Sequence, residues 1–164
     1  MIDIGDTASH PGVPAETDAY FLRQAIQLAV DSLESGDPPY GSLLVNSEGM
    51  VLTRARNTTV RDRDLTAHPE LTIAQWAHRH LEPPELRAAT LYTSCEPCPM
   101  CRNAIQRSGI ARVCYALGYD QLDRLKPTGY VSPDAHEPDY AGPYLFDEAR
   151  APLDRFFARN SGDR

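Results

Sequence analysis

The sequence predicts a three-layer α/β domain with helices on both faces of one sheet. Three observations predict it: apolar residues recur at helical spacing in some segments, short β-type runs lie between them, and Gly and Pro mark the junctions. Read in order, the segments give α-β-β-α-β-α-β, followed by a polar stretch and one more helix. The chain has 164 residues, one ordinary domain's worth, and 41% of them are apolar.

Thr17 to about Ser35 carries Tyr20, Phe21, Ala25, Ile26, Leu28, Ala29, Val30 and Leu33 at helical period, and Gly36 with Pro38–Pro39 stops it. Two strands follow, about Tyr40–Val45 and Met50–Arg54, joined by the turn residues Asn46-Ser47-Glu48-Gly49. A polar stretch from Asn57 to Asp64 leads to a helix over about 68–80, which Pro83–Pro84 close. Ala89–Thr93 is β-type, and Cys98–Ser108 is helical with Gly109 as its cap. Ala111–Leu117 is a further strand, expected parallel to the previous one through a right-handed crossover. Residues 119–142, rich in Asp, Pro, Gly and Tyr, read as an irregular lid or loop. Leu145, Phe146, Ala149, Leu153, Phe156 and Phe157 mark a C-terminal helix. Residues 1–15 are expected to be a flexible leader and 16–164 a single domain.

Charge and composition exclude several classes. No apolar run approaches the ~20 residues needed to span a bilayer. Met1–Pro14 has Asp3 and Asp6, no Lys or Arg and no apolar core, so it does not read as a secretory signal, and the expected address is cytoplasmic. The net charge of −7 disfavours nucleic acid as a partner. Arg54 to Arg63 alternate with Asp62 and Asp64, a pattern that suits a solvated face.

The chemistry concentrates in Thr66-Ala67-His68-Pro69-Glu70 and Ser94-Cys95-Glu96-Pro97-Cys98-Pro99-Met100-Cys101. Each falls at an expected helix start. Cys98 and Cys101 are three apart, so one helical turn aims both sulfurs at one point, and His68 supplies a third ligand. Three protein ligands leave the fourth tetrahedral position of zinc for water, the catalytic pattern. Glu70, two residues past His68, can face that water and move its proton without ligating the metal. Pro69 and Pro99 are tolerated in a first turn, whose amides lack intrahelical partners.

Other readings are weaker. C-x-x-C-x-x-C alone fits an iron–sulfur site, but its fourth thiolate would have to be the distant Cys114. A structural zinc closed by Cys95, as in a non-catalytic interaction domain, leaves Glu70 and Asn57 without a role. A thioredoxin-like pair ignores His68 and Glu70. Cys114 reads as a buried strand residue, His78 and His80 as helix-end residues, His10 and His136 as surface residues, and Trp76 as core or interface.

His-x-Glu followed by Pro-Cys-x-x-Cys is a known zinc-deaminase signature. The chain resembles the cytidine-deaminase-like superfamily over about residues 18–118, and Leu91–Cys101 is most similar to the bacterial guanine deaminases. That resemblance implies a mixed five-stranded sheet and a zinc cofactor held by His68, Cys98 and Cys101, with Glu70 as proton shuttle. It also implies hydrolytic deamination of a free base or similar small aminated heterocycle, with Asn57 hydrogen-bonding the ring and the backbone at Gly41 and Glu96 lining the base pocket. Guanine leads; cytosine, an aminotriazine-like ring and a tRNA adenosine are alternatives. The family usually forms homodimers, and its guanine branch can exchange C-terminal segments. Two positions depart from the pattern. Pro69 stands where Ala is more common, and Thr128-Gly129 stands where guanine deaminases place a purine-recognising Asp, leaving Asp134, Glu137 or Asp139 as the available acids.

Overall fold

The computed structural model describes residues 15–130 and 138–160. The chain divides into two compact units, one ending at Pro127 and one beginning at Thr128.

The first unit opens with α1 (Ala15–Glu34), whose helical-period apolar residues lie along the sheet. The hairpin β1 (Gly41–Val45) and β2 (Val51–Arg56) follows. Its turn is built by Asn46, whose Oδ1 accepts from the N–H groups of Glu48 and Met50. Gly49 takes the left-handed φ of +81° that closes it.

Then come α2 (Pro69–His80), α3 (Pro83–Ala88), β3 (Thr90–Cys95), α4 (Pro99–Ser108), β4 (Arg112–Leu117) and α5 (Tyr119–Leu125). The sheet runs β2-β1-β3-β4, with β1 antiparallel to both neighbours and β3 parallel to β4.

Alternation along the two central strands builds the layers. Leu43, Val45 and Tyr92 face α1 and pack with Phe21 and Ala25. Leu44 and Leu91 face the other way and pack with Ile73, Ala74 and Ala77 of α2, Leu86 of α3 and Ile105 of α4. Both faces of β1 and β3 are therefore buried, as a three-layer domain requires. A bidentate ion pair ties the first helix to the sheet edge: Arg112 donates to both carboxylate oxygens of Asp18, at 3.0 and 2.7 Å, and the Tyr92 hydroxyl donates to Asp18 at 2.7 Å.

Three expectations are corrected. Among the described residues the sheet has four strands, not five, because the chain after β4 turns into the helix α5 instead of returning to the sheet edge. That segment was expected to be irregular. Its first turn is held by an acceptor far away in sequence, Glu96, which takes the Tyr119 N–H at 2.8 Å. Pro83–Pro84 do not merely end α2. They occupy the first turn of α3, where missing amides cost nothing, behind a reciprocal capping box between Glu82 and Glu85.

In the second unit, α6 (Phe146–Asn160) is the C-terminal helix, and the Phe156 and Phe157 rings meet edge to face at 5.5 Å. Asp139 is exposed. Asp134 and Glu137 lie outside the described residues, as does the leader through Pro14.

Candidate active site

His68 and Cys98 occupy equivalent places: each is the N-cap of its helix, with extended backbone. N-cap side chains normally turn inward to satisfy first-turn amides. Here neither side chain makes a cap hydrogen bond. Cys101 follows one turn into α4 and is fully buried. The three side chains converge, with His68 Nδ1 at 3.7 Å from Cys98 Sγ and 3.6 Å from Cys101 Sγ, and all three ligand atoms within 4.8 Å of one another. A tetrahedral zinc with bonds of about 2.0 Å to nitrogen and 2.3 Å to sulfur needs an N···S edge of about 3.5 Å. The donor set and its spacing fit that ion.

Electrostatics favour an anionic sulfur at Cys98. Cys98 is held well below the usual thiol range, first by a hydrogen bond with Cys101 and then by His68. The N-terminal ends of α2 and α4 add positive potential. Cys95 differs: burial pushes its thiol up, and it is not one of the converging three.

Glu70, in the first turn of α2, is only 4% exposed. Burial pushes its carboxyl up, opposed chiefly by a hydrogen bond from Thr93. Its Oε1 accepts the Thr93 hydroxyl at 2.8 Å, and its Oε2 lies 3.8 Å from Cys101 Sγ. A buried carboxylate beside this His/Cys/Cys group, but outside it, can take up and release a proton there.

His68, Glu70 and Cys98 open into a cavity whose wall also includes Tyr40, Cys95, Glu96, Tyr119 and Leu122. A His/Cys/Cys group that could hold a metal ion, beside a buried carboxylate at one cavity, is the constellation of hydrolytic deamination. The family described as "Cytidine and deoxycytidylate deaminase zinc-binding region" matches residues 15–117. The chain belongs to that family.

Its relatives span several substrates. A probable cytosine deaminase of Schizosaccharomyces pombe is 32% identical over 155 residues, 87% of this chain and 94% of that protein. Guanine deaminase of Bacillus subtilis is 37% identical over 97 residues, 58% of this chain and 62% of its own length. The X-ray structure of the Bacillus subtilis guanine deaminase superposes with a TM-score of 0.67 at 27% identity, covering 93% of this chain and 98% of that one. A tRNA-specific adenosine deaminase of Aquifex aeolicus is 35% identical over 97 residues, 59% of this chain and 64% of that protein. This member of the family is accordingly a zinc-dependent hydrolytic deaminase.

The remaining expected site residues fall as follows. Glu96 lines the cavity, and its carboxylate is also a clasp: it accepts the Tyr119 N–H, pairs with Arg102, and so holds α5 against the pocket. Asn57 and Gly41 are not in the wall but adjoin it through Tyr40, to whose carbonyl the Asn57 N–H donates at 2.9 Å. Asn57 is 1% exposed, and its Oδ1 accepts from the Thr59 N–H and hydroxyl. Gly41 is dictated by packing: a Cβ there would lie 2.4 Å from Leu28 Cβ. Its N–H donates to Ser94 Oγ at 3.1 Å.

Sequence reasoning missed Tyr40, Tyr119, Leu122 and the Thr93–Ser42 pair. The first three needed the ends of β1, β3 and β4 to be brought together. The last pair had a signal, hydroxyl residues inside otherwise apolar strands, but their meeting depends on strand register.

Proposed function

We propose that the protein deaminates a free nucleobase, guanine first, with zinc held by His68 Nδ1, Cys98 and Cys101 and with Glu70 as the proton shuttle. The observation that carries this reading is the buried Glu70 carboxylate beside a ligand triad whose edges match tetrahedral zinc. When bound, zinc supplies a Lewis acid that lets water act as a nucleophile near neutral pH. Hydrolytic deamination adds that water to the ring carbon bearing the amino group, breaks the C–N bond and releases ammonia. Glu70 takes the proton the water gives up, passes it to the ring nitrogen, and delivers the next to the departing amine. Tyr40, Tyr119, Leu122 and Glu96 bound the space in which a flat ring lies. The family resemblance supports Asn57, which adjoins that space through Tyr40, as the residue that orients the ring.

Guanine is supported by the motif Leu91–Cys101 and by the fold match over nearly the whole chain of a guanine deaminase. The full-length match to a probable cytosine deaminase supports cytosine as the second reading. We further propose a homodimer, since the second unit exposes Tyr144, Leu145, Phe146 and Leu153, an apolar set a second copy would cover.

The deciding experiment is ammonia release by the zinc-loaded protein from guanine, cytosine, adenine and an aminotriazine, alongside Glu70→Gln. Turnover of one base, lost by ~100-fold or more in a zinc-replete Glu70→Gln variant, is expected. A variant as active as its parent would remove Glu70 from the mechanism.

A further inference from the structure

Behind Glu70 lies a second layer of polar groups that the proposed chemistry does not yet use. Thr93 is on β3 and Ser42 on β1, directly opposite in the strand register, and both are fully buried. They point to the same side of the sheet as Leu91 and Leu44, toward α2. Ser42 Oγ lies 2.9 Å from Thr93 Oγ1, and Thr93 Oγ1 lies 2.8 Å from Glu70 Oε1.

We propose that Thr93 is a positioning residue for Glu70, and that the Ser42–Thr93 pair reserves Oε2 as the only carboxylate oxygen that carries the shuttled proton. An ionised carboxylate only accepts, so Thr93 must donate to Oε1. A hydroxyl has one hydrogen, so the Thr93 oxygen then accepts from Ser42. The chain runs one way, Ser42 to Thr93 to Glu70. Reversing it, with a proton on Oε1 donated back to Thr93, puts three hydrogens on two contacts and would leave one hydroxyl hydrogen of the Ser42–Thr93 pair buried without an acceptor, a costly state. Oε1 therefore stays an acceptor through the cycle. The proton arriving from water bonds to Oε2, the oxygen nearer the ligand triad, and leaves from there to the ring nitrogen or amine. The same bond fixes the rotation of the carboxylate, so that Oε2 is held on the side of Cys101 Sγ before substrate arrives.

This inference rests on Glu70 being the shuttle, and the test separates the two claims. Zinc-replete Thr93→Val, which keeps the shape but not the hydroxyl, should lower kcat roughly 10- to 100-fold with KM within about 3-fold, the signature of a group that acts after binding. Thr93→Ser should recover kcat to within about 3-fold of the parent. Ser42→Ala should fall between, near a 3- to 10-fold loss. A second readout needs no metal. In the zinc-free protein, Thr93→Val should lower Tm by roughly 3–6 °C when Glu70 is present and by under about 1 °C in a Glu70→Met background, which has no carboxylate to strand.

Parental kcat in Thr93→Val, or a Thr93→Ser variant as slow as Thr93→Val, would overturn the positioning role. If Glu70→Gln is inactive and Thr93→Val normal, only this inference fails. If Glu70→Gln is fully active, the shuttle assignment fails first. Should no base be turned over, the zinc-free unfolding cycle decides alone, and equal Tm losses in both backgrounds refute the Thr93–Glu70 link.

Discussion

Replacing Gly41 by Ala adds one methyl group where α1 crosses closest to β1. The new Cβ would sit 2.4 Å from Leu28 Cβ, 2.6 Å from the Ala25 carbonyl oxygen and 2.6 Å from the Ala29 nitrogen. Two of those three atoms are helix backbone and cannot rotate away. Carbon contacts relax only near 3.5–4.0 Å, so α1 must retreat by about 1 Å. That retreat loosens the packing of Phe21 and Ala25 on Leu43, Val45 and Tyr92. Overpacking usually costs about 1–3 kcal/mol, and backbone contacts place this case near ~3 kcal/mol. For a chain of this length the corresponding drop in Tm is roughly 6–12 °C. Gly49→Ala is the control: nothing lies within 4 Å of its Cβ position, so only its φ of +81° is strained, at about 1–2 kcal/mol. Circular-dichroism melts of parent and both variants, with turnover measured well below every Tm, make the comparison. If Gly41→Ala melts within about 2 °C of the parent while kcat/KM collapses, the glycine serves the ligand and the packing argument is wrong.

Three further outcomes are expected. Cys95→Ser should keep nearly one zinc per chain while Cys98→Ser loses it; equal loss by metal analysis would point to a closed site that includes Cys95. Asn57→Ala should weaken turnover on every base in the panel, because its buried amide is lost to all of them; parental activity on the best base would remove Asn57 from the pocket. The Arg112 guanidinium holds the Asp18 carboxyl below the usual carboxylate range, so the pair's stabilisation is present above about pH 4 and is lost as pH falls through the lowered value. Asp18→Asn should therefore cost about 1 kcal/mol at pH 7, roughly 2–4 °C, allowing for partial exposure, and this Tm gap to the parent should close at low pH. A gap constant from pH 7 to below 3 would refute the ion-pair account.

The pairing of Cys98 with Cys101 was legible because it depends on local geometry alone. His68 joins them only through the packing of α2 beside α4, which the two motifs together, and not their spacing, announced. A helix start fixes where its N-cap points, and one turn fixes the spacing of two cysteines. The strands β1 and β3 were legible as short β-type runs bounded by turn and proline residues. What escaped depends on contacts between distant segments. The helix α5 has seven residues, too few to show a period, and its start is stabilised by Glu96 from 23 positions away. The helix α3 hid behind Pro83–Pro84, since the same prolines that stop one helix can begin another. The fifth strand came from resemblance and has no counterpart among the described residues. Thr93 and Ser42 meet only in the register of β1 on β3, which no run of residues announces.

The parallel pair explains why the site sits where it does. In α/β sheets ligands gather at the carboxyl ends of parallel strands, where chains diverge and helix N-termini point inward. Here β3 ends at Cys95 and β4 at Leu117, and the Glu96 N–H donates to the Leu117 carbonyl at 2.8 Å, joining the two ends. From that junction the chain after β3 delivers Cys98 and Cys101, and the chain after β4 delivers Tyr119 and Leu122. The helix α2 packs beside α4 and brings His68 and Glu70 to the same point. Metal ligands and cavity wall thus share one anchor, Glu96, whose carboxylate binds the start of α5 while its backbone bridges the strands. Substrate choice can then change through α5 without disturbing the ligands. Exchanging Tyr119 or Leu122 should alter which base is preferred and leave zinc content untouched, whereas cutting the clasp with Glu96→Ala, which removes the acceptor of the Tyr119 N–H, should weaken discrimination among all of them.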